Sequence, residues 1–472
     1  MLTEQRIAKN TLYLAIGKVL STTLGVLTVA LLLRYLSVDD YGRYTTVLAF
    51  ILLFGTFVDF GLNLTTTQDI SLPGADVDRT LSAIFTLRLL VNVILALLLP
   101  VILLAFPYEQ TIKDAILISS VLFFTFSLFQ VLASYFQKEL QAHKIAFAEL
   151  AGRIALLAAT VLAVHFTFSF IEIMLTVVAS SLVQFWTLLR FAASQIRLKL
   201  TLDWAIWKRI TAKTWPIALS VVFTTIYFKG DAVILSLARP LEDVGIYGAA
   251  YKILEVLITL PILFMGLVLP HLSRQCAERD NRGFNETIQK AWDALALVTL
   301  PLVAGTLVLA EPIMALITGG GYGPSANVLR ILIVAAGFIF LGSLFAHAVV
   351  AIGKQRAMIP YYAIAAAIAV GLYIIYIPAY TYYAAAGVTV RSEFLVAASA
   401  FLMVRRTVRF RLSMKGFGAA LIGSLGMGTV LYALSGFNVL ALSLAGAAVY
   451  ALLVWVMRSR FSFVTYGRAD HR

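Results

Sequence analysis

Two charged residues, Lys229 and Asp231, stand in the middle of the apolar run TTIYFKGDAVILSL at positions 224–237. Residues two apart on a helix point to different faces, so this pair does not neutralise itself through a simple contact. Arg391 and Glu393 repeat the same spacing in another apolar run. Each of these groups therefore needs a partner on another helix, or a water-filled cavity.

The solvent around these runs follows from the composition. Of the 472 residues, 61% are apolar and only 13% are charged, whereas soluble domains have about 45–50% apolar and about 25% charged residues. Apolar runs of about 20 residues recur along the chain, and a helix of that length crosses a hydrocarbon layer of about 30 Å. The sequence therefore predicts an all-α polytopic membrane protein.

Fourteen membrane spans are predicted, and the distribution of basic residues gives their orientation. If the N-terminus is cytoplasmic, the loops on that side hold most of the lysines and arginines, and the net charge of +13 is a topology signal rather than a nucleic-acid surface. Short loops rich in Lys and Arg stay in the cytoplasm, so both termini are expected there. The opposite loops hold only Arg34, Arg43, Lys113 and Arg239. The spans lie near 11–33, 43–64, 81–106, 113–137, 147–165, 170–191, 214–237, 247–272, 291–315, 326–352, 358–377, 383–404, 417–435 and 438–457.

The two halves of the chain look like copies of one unit. DDYGRY (39–44) precedes the second span and EDVGIY (242–247) precedes the eighth, and their aspartate, glycine and tyrosine align at one constant offset. Six spans separate the copies, which predicts a parallel repeat with its pseudo-axis along the membrane normal. The predicted domains are an N-terminal six-helix lobe at 1–191, a cytoplasmic amphipathic linker at 192–213, a C-terminal six-helix lobe at 214–404, and two additional helices with a cytoplasmic tail at 405–472.

Nucleotide, metal and enzyme chemistry are not expected. The run GGGYGPS (319–325) lacks the Gly-Lys-Ser/Thr ending of a phosphate-binding loop. The histidines are scattered, and a single cysteine, Cys276, excludes an intramolecular disulfide framework. A membrane enzyme such as a polysaccharide polymerase usually needs a sizeable outer loop or an acidic catalytic motif, and neither is present. We therefore predict no cofactor and no metal.

Charges at membrane depth are the remaining candidates for chemistry, since each costs about 2.5–3.5 kcal/mol at the centre of a span. Cations from several helices that point inward would line a hydrated basic cavity between two lobes, which suits an anionic head group such as phosphate. Structural ion pairing is the alternative, and snorkelling is a further one for Arg153, which lies near the end of its span. The candidate substrate-binding cations are Lys18, Arg88, Arg153, Lys229 and Arg391.

The acidic residues inside the spans suggest how transport would be driven. Because the chain has no nucleotide motif, we expect energy from an ion or proton gradient, or from removal of the product outside. The candidate coupling acids are Asp59, Asp231, Glu255 and Glu393.

Three segments resemble the Wzx-type polysaccharide flippases of the multidrug/oligosaccharidyl-lipid/polysaccharide exporter superfamily. The first is AKNTLYLAIGKVL to FGTFVDFGL (8–62), the second runs from KGDAVILSL to LPHLSR (229–274), and the third is GGGYGPSANVLRILI (319–333), followed by AIGKQ (351–355). The resemblance covers most of residues 8–404. Within it, Asp231 matches a position where the family commonly has aspartate.

The resemblance implies two pseudo-symmetric six-helix lobes around a central cavity. It implies an inner-membrane flippase that moves an undecaprenyl-pyrophosphate-linked oligosaccharide to the outer leaflet by alternating access, for O-antigen, lipopolysaccharide or exopolysaccharide export. Expected partners are the bilayer and polysaccharide polymerase or assembly proteins, with a monomer as the expected state. Fourteen spans also occur in the lipid II flippase branch, so a peptidoglycan-precursor flippase stays open. So does a multidrug/cation antiporter, although its cavity would favour acidic residues.

Overall fold

The computed structural model describes residues 2–59, 61–408, 410–434 and 436–458, with side chains from Ile16 onward except Val58. The N-terminal side chains and the predicted basic tail after residue 458 lie outside the described residues. Within the described residues the fold is all-helical, without strands. The helices are α1 (Leu2–Tyr35), α2 (Val38–Asp59), α3 (Leu62–Ile70), α4 (Val77–Leu104), α5 (Gln110–Ser119), α6 (Val121–Lys138), α7 (Ala142–His165), α8 (Phe170–Ala193), α9 (Trp204–Ala238), α10 (Leu241–Leu257), α11 (Thr259–Ala277), α12 (Asn281–Thr318), α13 (Ser325–Ala351), α14 (Gln355–Thr407), α15 (Lys415–Ala433) and α16 (Val439–Val456).

The predicted membrane spans are all present as helices. In the described chain, 12 helical segments are long and apolar enough to cross a membrane, and the bent pair α2–α3 makes a thirteenth. The 53-residue α14 contains one non-helical residue, Thr381, with φ 55° and ψ −143°. Thr381 lies in the loop predicted between the eleventh and twelfth spans, so α14 holds two spans and the layout has fourteen.

The chain forms two compact units, Met1–Gly245 and Ile246–Arg472. The first unit includes α9, the seventh span. Its core gathers buried apolar side chains of α3, α4, α6, α7, α8 and α9. Fully buried members are Leu81, Ile84, Leu132, Phe136, Leu188 and Ile210.

Helix directions inside the first unit agree with one membrane crossing per span. Gly17 of α1 packs against Ala146 of α7, and further along both helices Gly25 lies beside Arg153. The residue numbers rise together, so α1 and α7 run parallel. Parallel packing is expected for the first and fifth spans, because successive crossings alternate in direction.

The second unit shows the same regularity. Gly416 at the start of α15 lies against Asp293 of α12, and Gly305 of α12 lies against Met427 of α15. These helices also run parallel, as expected for the ninth and thirteenth spans. Small residues at such contacts let helix backbones approach closely. The resulting van der Waals packing is one of the main attractions between helices in lipid.

The amphipathic stretch between the sixth and seventh spans does not form a separate helix. Helix α8 ends at Ala193, residues 194–203 are non-helical, and α9 continues from Trp204 through the seventh span. Trp207 is buried, and its indole Nε1 donates to the carbonyl oxygen of Ala83 at 2.8 Å. The first turns of α9 are therefore held against α4 instead of lying apart.

Candidate functional site

A buried ion pair lies at membrane depth in the first unit. Arg88 of α4 is 1% exposed, and its Nη2 is 2.7 Å from Oδ1 of Asp59, the last residue of α2. Arg88 Nη1 donates to the carbonyl oxygen of Ser127 in α6 at 2.7 Å. One turn further along α4, Asn92 Nδ2 donates to the Arg88 carbonyl oxygen at 2.7 Å. Three helices therefore meet at one guanidinium. For Arg88 this arrangement favours structural ion pairing, the alternative to substrate binding.

This centre keeps spare hydrogen-bonding capacity. Arg88 Nε, Asn92 Oδ1 and Ser127 Oγ are buried and find no hydrogen-bond partner among the described residues. Buried polar atoms are normally satisfied by protein or by ordered water. The geometry therefore suits a hydrated polar centre rather than a dry, closed salt bridge.

A cavity of about 440 Å³ opens beside the ion pair, with walls from α2, α6, α8 and α9. Most of its lining is apolar, and Asp59 is the ionisable group on its wall. The Asp59 side chain is 22% exposed while that of Arg88 is 1% exposed. The carboxylate can therefore be reached from this cavity, whereas the guanidinium behind it is almost fully buried. The other polar lining residues are Thr56, Thr125, Ser127, Ser181 and Gln184.

Two predicted cations of the first unit lie along the seam between α1 and α7. Arg153 is exposed, and its Nη1 is 3.6 Å from the point that a β-carbon on Gly25 would occupy. Lys18 is exposed and stands seven residues before Gly25, hence on the same face of α1. Neither cation forms an ion pair with another residue that the structure describes. Both remain open to an anionic ligand.

Lys229 and Asp231 occupy different environments on α9. Lys229 is half-buried, and its Nζ lies 5.2 Å from the ring centre of Phe228. Asp231 is fully buried, and its Oδ1 accepts from the backbone N–H of Ala232 at 2.6 Å.

The remaining candidates belong to the second unit. Arg391 of α14 is exposed, whereas Glu393, two residues later, is 7% exposed. Glu255 of α10 pairs with Lys252 at 2.7 Å, one turn away on the same helix. The structure therefore brings Arg88 to Asp59, but it divides the predicted cations between two units.

One buried acid was missed by the sequence analysis. Asp69 of α3 is 5% exposed. It receives Arg209 Nη2 at 2.6 Å and Lys213 Nζ at 2.8 Å, both from α9. The basic residues at the start of α9 are visible in the sequence. Their acidic partner Asp69 lies more than a hundred residues earlier, and no motif around it predicts the pairing.

Comparison with known proteins places the chain in a family. The family described as polysaccharide biosynthesis protein matches residues 31–327, well over half of the chain. The chain belongs to this family. Among curated proteins, none matches the chain. The match supports the broad resemblance seen in the sequence, and it does not separate the O-antigen branch from other members.

Solved structures show which fold this polysaccharide biosynthesis family member adopts. The lipid II flippase MurJ in an inward closed conformation superposes with a TM-score of 0.80 at 18% identity, covering 94% of this chain and 99% of the other. A multidrug resistance MATE family transporter of the MOP superfamily, facing inward, gives 0.69 at 16% identity, with 82% and 94% covered. The Vibrio cholerae MATE transporter VcmN gives 0.61 at 13%, with 86% and 97% covered. At these identities the likeness concerns the fold alone.

Proposed function

We propose that this protein is a lipid-linked oligosaccharide flippase of the bacterial inner membrane, with both termini in the cytoplasm. It moves a polyprenyl-pyrophosphate-linked glycan to the outer leaflet by alternating access during polysaccharide export. The polysaccharide biosynthesis family and the MOP superfamily fold support a transporter of this kind. The Wzx-like segments favour a glycan intermediate of O-antigen, lipopolysaccharide or exopolysaccharide synthesis.

The observation that carries the proposal is the pair of exposed cations Lys18 and Arg153 on α1 and α7. Seven residues, or about 10 Å of helix, separate Lys18 from the level of Gly25, where the Arg153 guanidinium lies. Two long cationic side chains on one seam suit the two phosphates of a pyrophosphate, which Arg binds with a fork and Lys as a point charge. Lys229 and Arg391 are the further substrate-binding cations of the proposal.

Arg88 has a different part in this proposal. Because it is 1% exposed and faces Asp59, it positions that carboxylate rather than contacting the substrate. Asp59 can be reached from the cavity, and loss of its charge would leave the buried guanidinium without its counter-charge, a state that costs several kcal/mol. Asp59 is therefore the coupling acid we favour in the first unit. Asp231, Glu255 and Glu393 remain the candidates elsewhere.

Two other functions are known for proteins with a similar fold, and each would imply a different substrate. A lipid II flippase would use the same cations, since that substrate also has a pyrophosphate, and the likeness to MurJ keeps it as the second candidate. A cation antiporter requires an acidic recognition surface, which the exposed Lys18 and Arg153 oppose.

The test measures glycan export by cells that lack their own copy of the gene. Lys18→Gln and Arg153→Gln should each lower export by about 10- to 100-fold, the value of one charge-assisted hydrogen bond. Lys113→Gln, near the start of α5 and far along the chain from both cations, is the control and should export normally. Export that survives the combined Lys18 and Arg153 change contradicts the proposal. Vesicles that move lipid II but not the glycan intermediate would assign the second candidate instead.

A further inference from the structure

A groove in the second unit is polar at one end and apolar along the rest of its length, as a lipid molecule is. It lies between α11 and α12, has a volume of about 800 Å³, and contains Lys290, His271 and Thr287 among an otherwise apolar lining. Lys290 and His271 are exposed. None of these residues belongs to the cation set proposed for the glycan carrier, so the groove is a separate feature.

The polar residues gather at one end of the groove. His271 stands eleven residues after Leu260 on α11, and Thr287 stands eleven residues before Val298 on α12. The two helices are antiparallel neighbours, and Gln275 Nε2 donates to Thr287 Oγ1 at 2.9 Å where they meet. Both walls therefore change from polar to apolar in the same direction.

The length of the groove matches one leaflet. Eleven residues rise about 16 Å along a helix, and half of a hydrocarbon layer is about 15 Å. The polar end adjoins the short loop between α11 and α12, residues 278–280. A long polyprenyl chain would exceed this length, whereas the acyl region of a phospholipid fills it.

We propose that this groove binds an anionic phospholipid from the leaflet next to the α11–α12 loop. The phosphate lies against Lys290 and His271, and Thr287 offers a hydroxyl donor beside them. One acyl chain lies over Leu260, Pro261 and Val298. Charge selects the head group, since a zwitterionic lipid offers the Lys290 ammonium no net negative charge, while the apolar walls select for a chain.

The first experiment measures lipid affinity of the full-length protein by native mass spectrometry, with phosphatidylglycerol and phosphatidylcholine as probes. Wild type should bind phosphatidylglycerol more tightly. Lys290→Gln should raise its dissociation constant about 10-fold, and His271→Gln should act in the same direction, while phosphatidylcholine binding is unchanged. Lys354→Gln is the matched control, because Lys354 is an exposed cation of the same unit outside the groove. Equal affinity for the two lipids, or an unchanged constant in Lys290→Gln, overturns the proposal.

A second pair of variants tests the apolar part of the groove. Val298→Trp fills it and should displace phosphatidylglycerol, whereas Val350→Trp, at a similarly exposed site on α13, should not. If Val298→Trp binds phosphatidylglycerol as wild type does, the groove is not the site. If polyprenyl phosphate binds in its place and responds to Lys290→Gln, the occupant is the carrier and the phospholipid assignment is wrong. Glycan export plays no part in these measurements, so failure here is distinct from failure of the flippase proposal.

Discussion

Gly42 and Gly245 each pack against the helix that carries the other. A β-carbon on Gly42 would overlap the carbonyl oxygen of Leu241, and one on Gly245 would overlap the carbonyl oxygen of Val38. Gly42 matches Gly245 in the predicted repeat, and Val38 matches Leu241 at the same offset. The contact is therefore reciprocal, and it joins the N-terminal turns of α2 and α10 through equivalent residues. All four residues lie within the first unit.

Alanine at either glycine should destabilise the protein. The added methyl group meets backbone atoms, which cannot move aside as a flexible side chain can, so a cost of about 1–3 kcal/mol is expected for Gly42→Ala and for Gly245→Ala. Thermal unfolding in detergent, followed by tryptophan fluorescence, measures it. Gly371→Ala is the control, because nothing lies within 4 Å of its β-carbon position. A melting temperature of Gly42→Ala equal to that of Gly371→Ala would show that the two helices separate easily.

The Asp59–Arg88 pair predicts an asymmetric response to substitution. Asp59→Asn leaves a guanidinium that is 1% exposed without its counter-charge, whereas Arg88→Leu leaves a carboxylate that is 22% exposed and can be hydrated. Breaking a buried pair costs about 3–5 kcal/mol. The loss of free energy of unfolding should therefore be near the upper end of this range for Asp59→Asn and smaller for Arg88→Leu. The free energy of unfolding is measured by denaturant titration in micelles.

The double variant Asp59→Asn with Arg88→Leu supplies the internal control for that pair. Removing both charges leaves no orphan ion, so the double change should cost less than the two single changes combined. Glu311→Gln breaks the exposed Arg330–Glu311 pair, in which the acid is 71% exposed, and should cost under about 1 kcal/mol. Strict additivity at Asp59 and Arg88 would mean that the two groups do not interact.

The spans could be predicted because they depend on composition, whereas the partners inside them could not. Apolar runs fix each crossing, and even the break at Thr381 falls in a predicted loop. Arg88 and Asp59 were both candidate site residues, but the sequence did not predict that they pair with each other. Only the packing of α4 against α2 and α6 puts them 2.7 Å apart. Ion pairing between helices is tertiary information, with no period or spacing to reveal it.

Asp69 should be more important for stability than either of its partners. Its side chain is 4% exposed, while those of Arg209 and Lys213 are about half exposed. Asp69→Asn weakens two charge-assisted contacts, each worth about 1.5–3 kcal/mol. Arg209→Gln or Lys213→Gln leaves the carboxylate one cation, so each should reduce the melting temperature less. Equal losses for the three variants would contradict this order.

The cap of α9 predicts an acid-sensitive contact. Asp203 Oδ1 accepts from the Ile206 N–H at 3.1 Å, and Oδ2 lies 2.9 Å from Arg79 Nε. These two donors, the Ile206 amide foremost, hold the pKa of Asp203 below its usual range. A carboxyl with a lowered folded pKa stabilises the protein fully above its unfolded pKa of about 3.9. That stabilisation is lost as the pH falls below about 4 and through the folded pKa.

Asp203→Asn isolates this contribution, because asparagine still caps the helix but carries no charge. The variant should unfold at a lower temperature than wild type at pH 6, and the difference should shrink as the pH falls below about 4 toward the lowered folded pKa of Asp203. Asp78→Asn, an exposed acid in the first turn of α4, is the control and should follow the wild-type profile. If the wild type and Asp203→Asn keep a constant difference from pH 6 to pH 3, the charge on Asp203 does not stabilise the start of α9.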